Sequence, residues 1–299
     1  MQWRRLARFV PQKSHVHRTR LPPKWRTQGH CCGEDSSGAT RASRDVANLG
    51  AFMTWAFLDL AAPNGFAHRG GDEHAPENTV AAFQHAVDLG YRYLETDVHR
   101  TRDGVLVAFH DGDLNRLAGR PGAIADHAWP ELREIDLGGG ATIPTLDELL
   151  LSFPDVRFNI DPKADDAVPL LASTLQAHRA VDRVCVGSFS DRRVAEVLRI
   201  LGPSLCTAPG PRALVRTLAL GKRGGGDRHG AVQIPPSCRG FKLTARFVER
   251  LHDMDLQVHV WTINTEGEMH QLLDLGVDAV MTDRVQLLKD VMTKRGEWP

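Results

Sequence analysis

The fold of this 299-residue chain is decided by residues 93–111, which read YLETDVHRTRDGVLVAFHD. Two β-rich runs, residues 93–98 and 105–109, flank the tetrapeptide Thr101-Arg102-Asp103-Gly104. An Asp-Gly pair between two such runs is a tight-hairpin signal, whereas a parallel crossover needs about a dozen residues. We therefore predict that residues 105–109 fold back antiparallel on the strand before them.

Short β-rich segments alternate with helical patterns from residue 65 onward, which is typical of parallel βα units. The predicted strands cover residues 65–68, 93–98, 105–109, 156–160, 183–186, 204–207, 231–234, 257–262 and 279–281. Setting the hairpin strand aside leaves eight parallel strands, over a length of about 230 residues that is close to that of a barrel. We predict an α/β fold, a single (β/α)8 TIM barrel with a β-hairpin extension after the second strand. A doubly wound open sheet is the structural alternative.

Several helix starts carry capping signals. Asn78 precedes an amphipathic run over residues 79–89 and is predicted to cap it. Thr145 with Glu148, and Thr265 with Glu268, have the spacing of a capping box. These signals place helices between the predicted strands, as a barrel requires.

The charge of the chain is unevenly distributed. The formal net charge is zero, yet residues 1–50 hold ten Lys or Arg against three Asp or Glu. The rest of the chain is therefore mildly acidic, which disfavours a nucleic-acid surface there. No run of about 18 apolar residues occurs, so no transmembrane segment is expected.

Residues 1–52 lack sustained periodicity and are rich in Arg, Pro, Ser and Gly. We interpret them as a disordered basic tail or as a start-site artefact with translation beginning at Met53, and residues 53–299 as the folded domain. No apolar segment of secretory length is present, so export is not expected. The five cysteines form no C-x-x-C pair, which favours a reducing compartment and hence the cytoplasm.

Two carboxylates lie on the second predicted strand. Residues two apart in a strand share a face, so Glu95 and Asp97 can present both side chains to one cation. Hard oxygen ligands favour Mg²⁺ or Ca²⁺. The next barrel strand ends at Asp161, which can complete the site.

Two histidines and two cationic side chains belong to the same predicted edge of the barrel. The first strand ends at His68, and the hairpin returns the chain to that edge at His110. A histidine with an unperturbed pKa of about 6.5 can accept or donate a proton near neutrality. Arg69 and Lys163 can neutralise phosphate oxygens. This combination of groups is what phosphodiester hydrolysis requires.

Four motifs in this stretch resemble the signature of the glycerophosphodiester phosphodiesterase family, whose barrels are similar to those of phosphatidylinositol-specific phospholipases C. The motifs are His68-Arg69-Gly70, Pro76-Glu77-Asn78-Thr79, Glu95-x-Asp97 and His110-Asp111. The resemblance implies a divalent cation held by Glu95, Asp97 and Asp161. It implies acid-base catalysis by His68 and His110. It implies phosphate contacts from Arg69 and Lys163, and it suggests Trp261 as an apolar wall for the substrate. Glu77 is assigned to the substrate-binding residues as well, with helix capping and support of the site as its two alternative roles.

The expected reaction is metal-dependent hydrolysis of a glycerophosphodiester to an alcohol and glycerol 3-phosphate. Position 161 is Asp where many family members have Glu, and related forms act on lysophospholipids. A lysophospholipase D that releases lysophosphatidic acid is therefore an alternative, and a non-catalytic phosphodiester-binding barrel is a third. The basic stretch over residues 218–229 could touch a lipid headgroup, so transient contact with a membrane surface is also considered. The sequence leaves the oligomeric state open.

Overall fold

The computed structural model describes residues 55–221, 229–238 and 240–298. The strands are β1 (Asn64–His68), β2 (Tyr93–Arg100), β3 (Leu106–Ala108), β4 (Arg157–Pro162), β5 (Val184–Val186), β6 (Cys206–Thr207), β7 (Ala231–Ile234), β8 (Ser237–Cys238), β9 (Phe241–Lys242), β10 (Gln257–Val260) and β11 (Ala279–Thr282). The α-helices are α1 (Val80–Asp88), α2 (Asn115–Ala118), α3 (Trp129–Leu132), α4 (Leu146–Ser152), α5 (Ala167–Ala177), α6 (Asp191–Leu201), α7 (Pro211–Leu220), α8 (Ala245–His252), α9 (Glu266–Asp274) and α10 (Val285–Arg295). The tail predicted for residues 1–52, and most of the basic stretch at 218–229, lie outside the described residues.

Eight parallel strands form a nearly closed barrel. Their order is β6-β5-β4-β2-β1-β11-β10-β7. Between the two terminal strands, the Gly230 N–H donates to the Thr207 carbonyl at 3.0 Å. The predicted (β/α)8 barrel is confirmed, and the open sheet is excluded because the end strands meet.

The hairpin prediction is also confirmed. Strand β3 pairs antiparallel with β2, with Val98 opposite Ala108. The sequence did not predict the short helices α2 and α3, which follow the hairpin. Residues 105–143 form a small hydrophobic core of their own, which we call the hairpin core. Its buried members are Val107, Phe109, Leu114, Ile124, Leu132, Ile135 and Ile143.

The capping predictions had mixed outcomes. The Thr145 box is confirmed, since its side chain accepts from the Glu148 N–H while Glu148 accepts from the Thr145 N–H. The prediction for Asn78 was wrong. Thr79 caps α1 instead, and Asn78 adopts a left-handed backbone with φ 58°. The Asn78 amide oxygen accepts from the buried Thr96 hydroxyl at 2.8 Å, so this side chain ties the loop after β1 to β2.

Apolar and aromatic side chains fill the barrel interior below the carboxyl ends of the strands. Phe66 and Tyr93 stack there with ring centroids 4.4 Å apart. A one-turn 3-10 helix, Ala56–Leu58, brings Phe57 under them, and the Tyr93 hydroxyl donates to the Phe57 carbonyl at 2.7 Å. We call this layer the interior floor. Its buried members are Phe57, Phe66, Tyr93, Cys185, Cys206, Ala208, Ala279 and Met281.

Candidate active site

A cavity opens at the carboxyl ends of the barrel strands. Parallel strands end at one edge of a barrel, and the hairpin adds the end of β3 to that edge. Of the predicted site residues, Glu77 alone does not line the cavity, and it contacts Arg69 instead. The eight that line it are His68, Arg69, Glu95, Asp97, His110, Asp161, Lys163 and Trp261.

His68 is held between two carboxylates at the end of β1. Its Nδ1 lies 2.5 Å from Oδ1 of Asp283, and its Nε2 lies 3.8 Å from Oε2 of Glu95. Burial works against protonation, but the Glu95 and Asp283 carboxylates outweigh it and raise the pKa of His68. Asp283 is itself fixed, since its Oδ2 accepts from the Asn264 amide at 2.7 Å.

His110 is anchored in the same way from the hairpin. Its Nδ1 lies 2.7 Å from Oδ1 of Asp111. The His99 ring on β2 hydrogen-bonds the His110 carbonyl oxygen at 3.1 Å, which ties this end of the hairpin to the barrel. In both histidines the carboxylate partner engages Nδ1, so Nε2 is the ring nitrogen left to meet a substrate.

Three carboxylates share the cavity with one ammonium group. The Lys163 Nζ lies 2.6 Å from Oδ1 of Asp97 and 2.9 Å from Oδ2 of Asp161. Burial raises the pKa of Glu95 to about 7, and the charge of nearby Asp97 adds to the effect. Burial also favours the neutral form of Asp97, but Lys163 and Arg69 prevail and lower its pKa.

Arg69 joins the carboxylate cluster to the loop before α1. The residue has a left-handed backbone, with φ 54°, and its N–H donates to Oε2 of Glu95 at 3.2 Å. Its Nη1 donates to Glu77 at 3.1 Å, while its Nε lies 3.3 Å from Oδ2 of Asp97. Glu77 therefore orients Arg69 rather than reaching the cavity.

The donor chemistry of the cluster suits a hard divalent cation. Asp161 Oδ1 and Asp97 Oδ2 are buried oxygens that make no hydrogen bond among the described residues, although Asp97 Oδ2 lies 3.3 Å from the Arg69 Nε. Carboxylate oxygens are the ligands that Mg²⁺ and Ca²⁺ prefer. The described residues nevertheless contain no group of three His, Cys, Asp or Glu side chains already gathered around one point. Lys163, between Asp97 and Asp161, supplies the positive charge in the present arrangement.

One wall of the cavity is aromatic. Trp261, which follows β10, packs edge-to-face on Phe189 with centroids 5.7 Å apart. Beside this pair, Asn159 on β4 and Gln233 on β7 exchange hydrogen bonds at 2.7 and 3.4 Å, so Gln233 both lines the cavity and contacts a strand that is not its neighbour in the sheet. A side chain at position 187 would place its Cβ 2.5 Å from the Gln233 amide oxygen, so Gly187 makes room for this pair.

Sequence reasoning missed two residues near the histidines, namely Asp283, which contacts the His68 ring, and Arg116, which contacts the Asp111 carboxylate beside His110. Asp283 directly follows the last barrel strand, and this position is the signal that could have marked it as a residue of the site. Arg116 gave no comparable signal. It contacts Asp111 and Glu77 from α2, a helix that the sequence did not predict.

The chain matches the model of the glycerophosphoryl diester phosphodiesterase family over residues 68–207 and 224–287. A probable glycerophosphodiester phosphodiesterase 2 from Mycobacterium tuberculosis is 40% identical over 258 residues, covering 83% of this chain and 98% of the relative. A lysophospholipase D from Mus musculus is 28% identical, covering 83% and 96% of the two chains.

Solved structures share the fold. A phosphodiesterase from Oleispira antarctica, determined with the product sn-glycerol-3-phosphate, superposes with a TM-score of 0.67 at 24% identity, covering 78% of this chain and 97% of that one. A putative glycerophosphoryl diester phosphodiesterase from Silicibacter pomeroyi gives a TM-score of 0.72 at 22% identity, covering 82% and 100%. With the family match and the mycobacterial relative, these findings make the chain a phosphodiesterase that belongs to the glycerophosphoryl diester phosphodiesterase family.

Proposed function

We propose that this enzyme hydrolyses glycerophosphodiesters to an alcohol and glycerol 3-phosphate, with His68 and His110 carrying the protons. One observation supports the proposal above the others. Two histidines, each with Nδ1 on a carboxylate, line one cavity together with the cationic side chains of Arg69 and Lys163. These are the groups that a phosphodiester and its leaving alcohol need.

The two histidines divide the proton transfers between them. A carboxylate on Nδ1 fixes the tautomer and orientation of the ring, so that Nε2 exchanges the proton. One Nε2 takes the proton of the attacking hydroxyl or water. The other donates a proton to the departing alkoxide, which makes the alcohol a better leaving group.

The phosphate group lies against Arg69 and Lys163 in this proposal. Both side chains are held by carboxylates, Arg69 by Glu77 and Lys163 by Asp161. Such preorganised cations stabilise the charge that develops on the phosphoryl oxygens without having to reorient during the reaction. The role of Glu77 is thus to aim Arg69.

We assign the divalent cation, Mg²⁺ or Ca²⁺, to Glu95, Asp97 and Asp161. When bound, such an ion polarises a phosphoryl oxygen and neutralises part of its charge. The two buried carboxylate oxygens that make no hydrogen bond, Oδ2 of Asp97 and Oδ1 of Asp161, support this assignment. We expect a chelator to abolish the release of glycerol 3-phosphate, and we expect added Mg²⁺ or Ca²⁺ to restore it. Full activity in excess chelator would contradict it.

The test of the histidine roles is substitution of each ring. We expect His68→Ala and His110→Ala each to lower kcat for glycerophosphocholine by about 10²- to 10⁴-fold, the usual contribution of general acid-base catalysis. His178→Ala is the matched control, because His178 also pairs with an aspartate, Asp147 at 2.7 Å, but lies away from the cavity. Near-normal turnover by either active-site variant, with the control intact, rules out its role.

The aromatic wall favours lysophospholipids as a second substrate class. Phe189 is 51% exposed although it is a large apolar residue, and it extends the Trp261 face at the edge of the cavity. An acyl chain lying beside the phosphate would cover it. Comparison of kcat/KM for lysophosphatidylcholine and glycerophosphocholine, in the native enzyme and in Phe189→Ala, distinguishes the two classes. A lysolipid preference that disappears in the variant favours lysophospholipase D.

No helix in the described part of the chain is long and apolar enough to cross a bilayer. The cysteines at 185, 206 and 238 are free thiols. We keep the cytoplasm as the proposed location on the strength of these thiols, since oxidising compartments favour paired cysteines. Fractionation of cells, with immunodetection of the native protein, tests it.

A further inference from the structure

Arg116 lies at a junction between the two arms of the active site. Its Nε is 2.5 Å from Oδ2 of Asp111, whose Oδ1 contacts the His110 ring. Its Nη2 and Nη1 lie 2.6 and 3.1 Å from the two oxygens of Glu77, which in turn holds Arg69. Three nitrogens of one guanidinium group therefore span the partner of His110 and the partner of Arg69.

We propose that Arg116 is a positioning residue, which sets the orientation of the proton-transfer arm, His110 with Asp111, relative to the phosphate arm, Arg69 with Glu77. The inference rests on the proposed roles of His110 and Arg69. Arg116 does not line the cavity, so its effect on the reaction passes through these neighbours. Its guanidinium plane is suited to this task because it donates several hydrogen bonds in fixed directions.

The contacts become more buried from Arg116 inward. The Arg116 side chain is 49% exposed and that of Glu77 is 15% exposed. The Asp97 side chain, which Arg69 contacts beyond Glu77, is 3% exposed. A surface ion pair at the outer end contributes little to folding stability. We infer that Arg116 instead fixes the relative position of Asp111 and Glu77. These two residues come from different segments, and no hydrogen bond among the described residues joins them directly.

Electrostatics favours the same arrangement. Burial favours the neutral form of Glu77, but Arg116 and Arg69 outweigh it and lower its pKa. Arg116 and His110 likewise overcome burial and lower the pKa of Asp111. Both carboxylates stay charged at neutral pH and so remain acceptors, Glu77 for Arg69 and Asp111 for the His110 ring.

The test compares Arg116→Gln and Arg116→Ala with a matched control, Arg102→Gln. Arg102 also bridges two segments near the hairpin, through Glu131 and the Asp126 carbonyl, but touches neither arm. We expect the Arg116 variants to lower kcat for glycerophosphocholine by about 10- to 100-fold, as partners of catalytic groups typically do, with an unchanged Tm. The control should keep the native kcat.

Two further measurements separate positioning from a structural role. Guanidinium ion at millimolar concentration should restore part of the kcat of Arg116→Ala and leave His110→Ala unchanged. In addition, Asp111→Asn combined with Arg116→Ala should lose less kcat than the product of the two single losses, because part of the effect of Arg116 on the reaction passes through Asp111 to His110. If the Arg116 variants keep kcat within about threefold of the native value while His110→Ala is inactive, the inference about Arg116 is wrong and the proposed role of His110 stands. An active His110→Ala would instead remove the proposed role of His110.

Discussion

Asp283 and Asp278 flank β11 at opposite ends, and each meets a histidine ring. Asp283 holds His68 at the cavity, as described above. Asp278 lies 2.6 Å from Nε2 of His252 and accepts from the Val258 N–H, at the other end of the barrel. The two aspartates have the same chemistry, but only one of them contacts a residue that lines the cavity.

We therefore expect Asp283→Asn to lower kcat by about 10- to 100-fold, since it leaves His68 with a weaker and differently oriented partner. Asp278→Asn should leave kcat close to the native value. Steady-state kinetics of both variants, with Tm recorded for each, checks the prediction. Equal losses of kcat in the two variants would show that Asp283 acts on stability rather than on His68.

At single positions, the sequence indicated which residues belong to the site better than it indicated which side chains contact them. Glu95 and Asp97 could be paired from the alternation of a strand, which is a local rule. Asp283 meets His68 across 215 positions of sequence, and no local pattern reports such a contact. The wrong prediction that Asn78 caps α1 has the same origin, because the Asn78 side chain accepts a hydrogen bond from Thr96 on the neighbouring strand.

The hairpin is the element that brings His110 to the cavity. Strand β3 carries the chain from the β2 edge to His110, and the hairpin core lies beneath the short helices that follow. The Asp103-Gly104 turn was predictable because turn chemistry is local. Helices α2 and α3 were not, since each has four residues and their stability comes from packing rather than from periodicity.

Within this element, Leu132 is fully buried in the hairpin core. We expect Leu132→Ala to lower kcat while leaving the stability of the barrel largely unchanged. The cavity left by the substitution costs about 2–5 kcal/mol, and this loss falls on the core that supports His110. Leu175→Ala, in the main barrel core, is the matched control. The measurement is kcat per folded molecule, together with limited proteolysis over residues 112–143.

The control variant should show the reverse pattern, with a lower Tm and a normal kcat per folded molecule. Greater protease sensitivity of residues 112–143 in Leu132→Ala, at a temperature where the barrel is intact, would locate the damage in the hairpin core. Equal effects of the two substitutions on kcat and Tm would instead show that the hairpin core and the barrel core unfold as one unit.

For the molecule as a whole, one buried histidine links stability to pH. His259 on β10 lies against Phe66 with ring centroids 5.0 Å apart, and burial lowers its pKa to about 3. In the unfolded chain its pKa is about 6.5. Below that value the unfolded state binds a proton that the folded state does not, so the free energy of unfolding falls as pH decreases towards 3.

The predicted cost is about 2 kcal/mol of folding free energy between pH 7 and pH 5. His259→Phe removes the titrating ring and keeps an aromatic side chain beside Phe66, so its stability should fall less over this interval. Urea unfolding of both proteins at the two pH values gives the comparison. An identical pH dependence would contradict the prediction and assign the effect to other groups.

The architecture of the whole barrel was largely predictable, because eight repeats of strand and helix follow from short-range periodicity. Strand ends were displaced by one or two residues, as in β6, which begins at Cys206 rather than at 204. The antiparallel pair β8-β9 was not predicted. Its two-residue strands are too short for alternation to be visible in the sequence.

The interior floor also determines at which end of the barrel the cavity is open. Because Phe57, Phe66 and Tyr93 pack below the cavity, reactants exchange with solvent at the carboxyl ends of the strands. In the proposed reaction, the departing alcohol and the water therefore use the same opening. We therefore expect the turnover rate to depend on the size and polarity of the leaving group as well as on the chemistry at phosphorus.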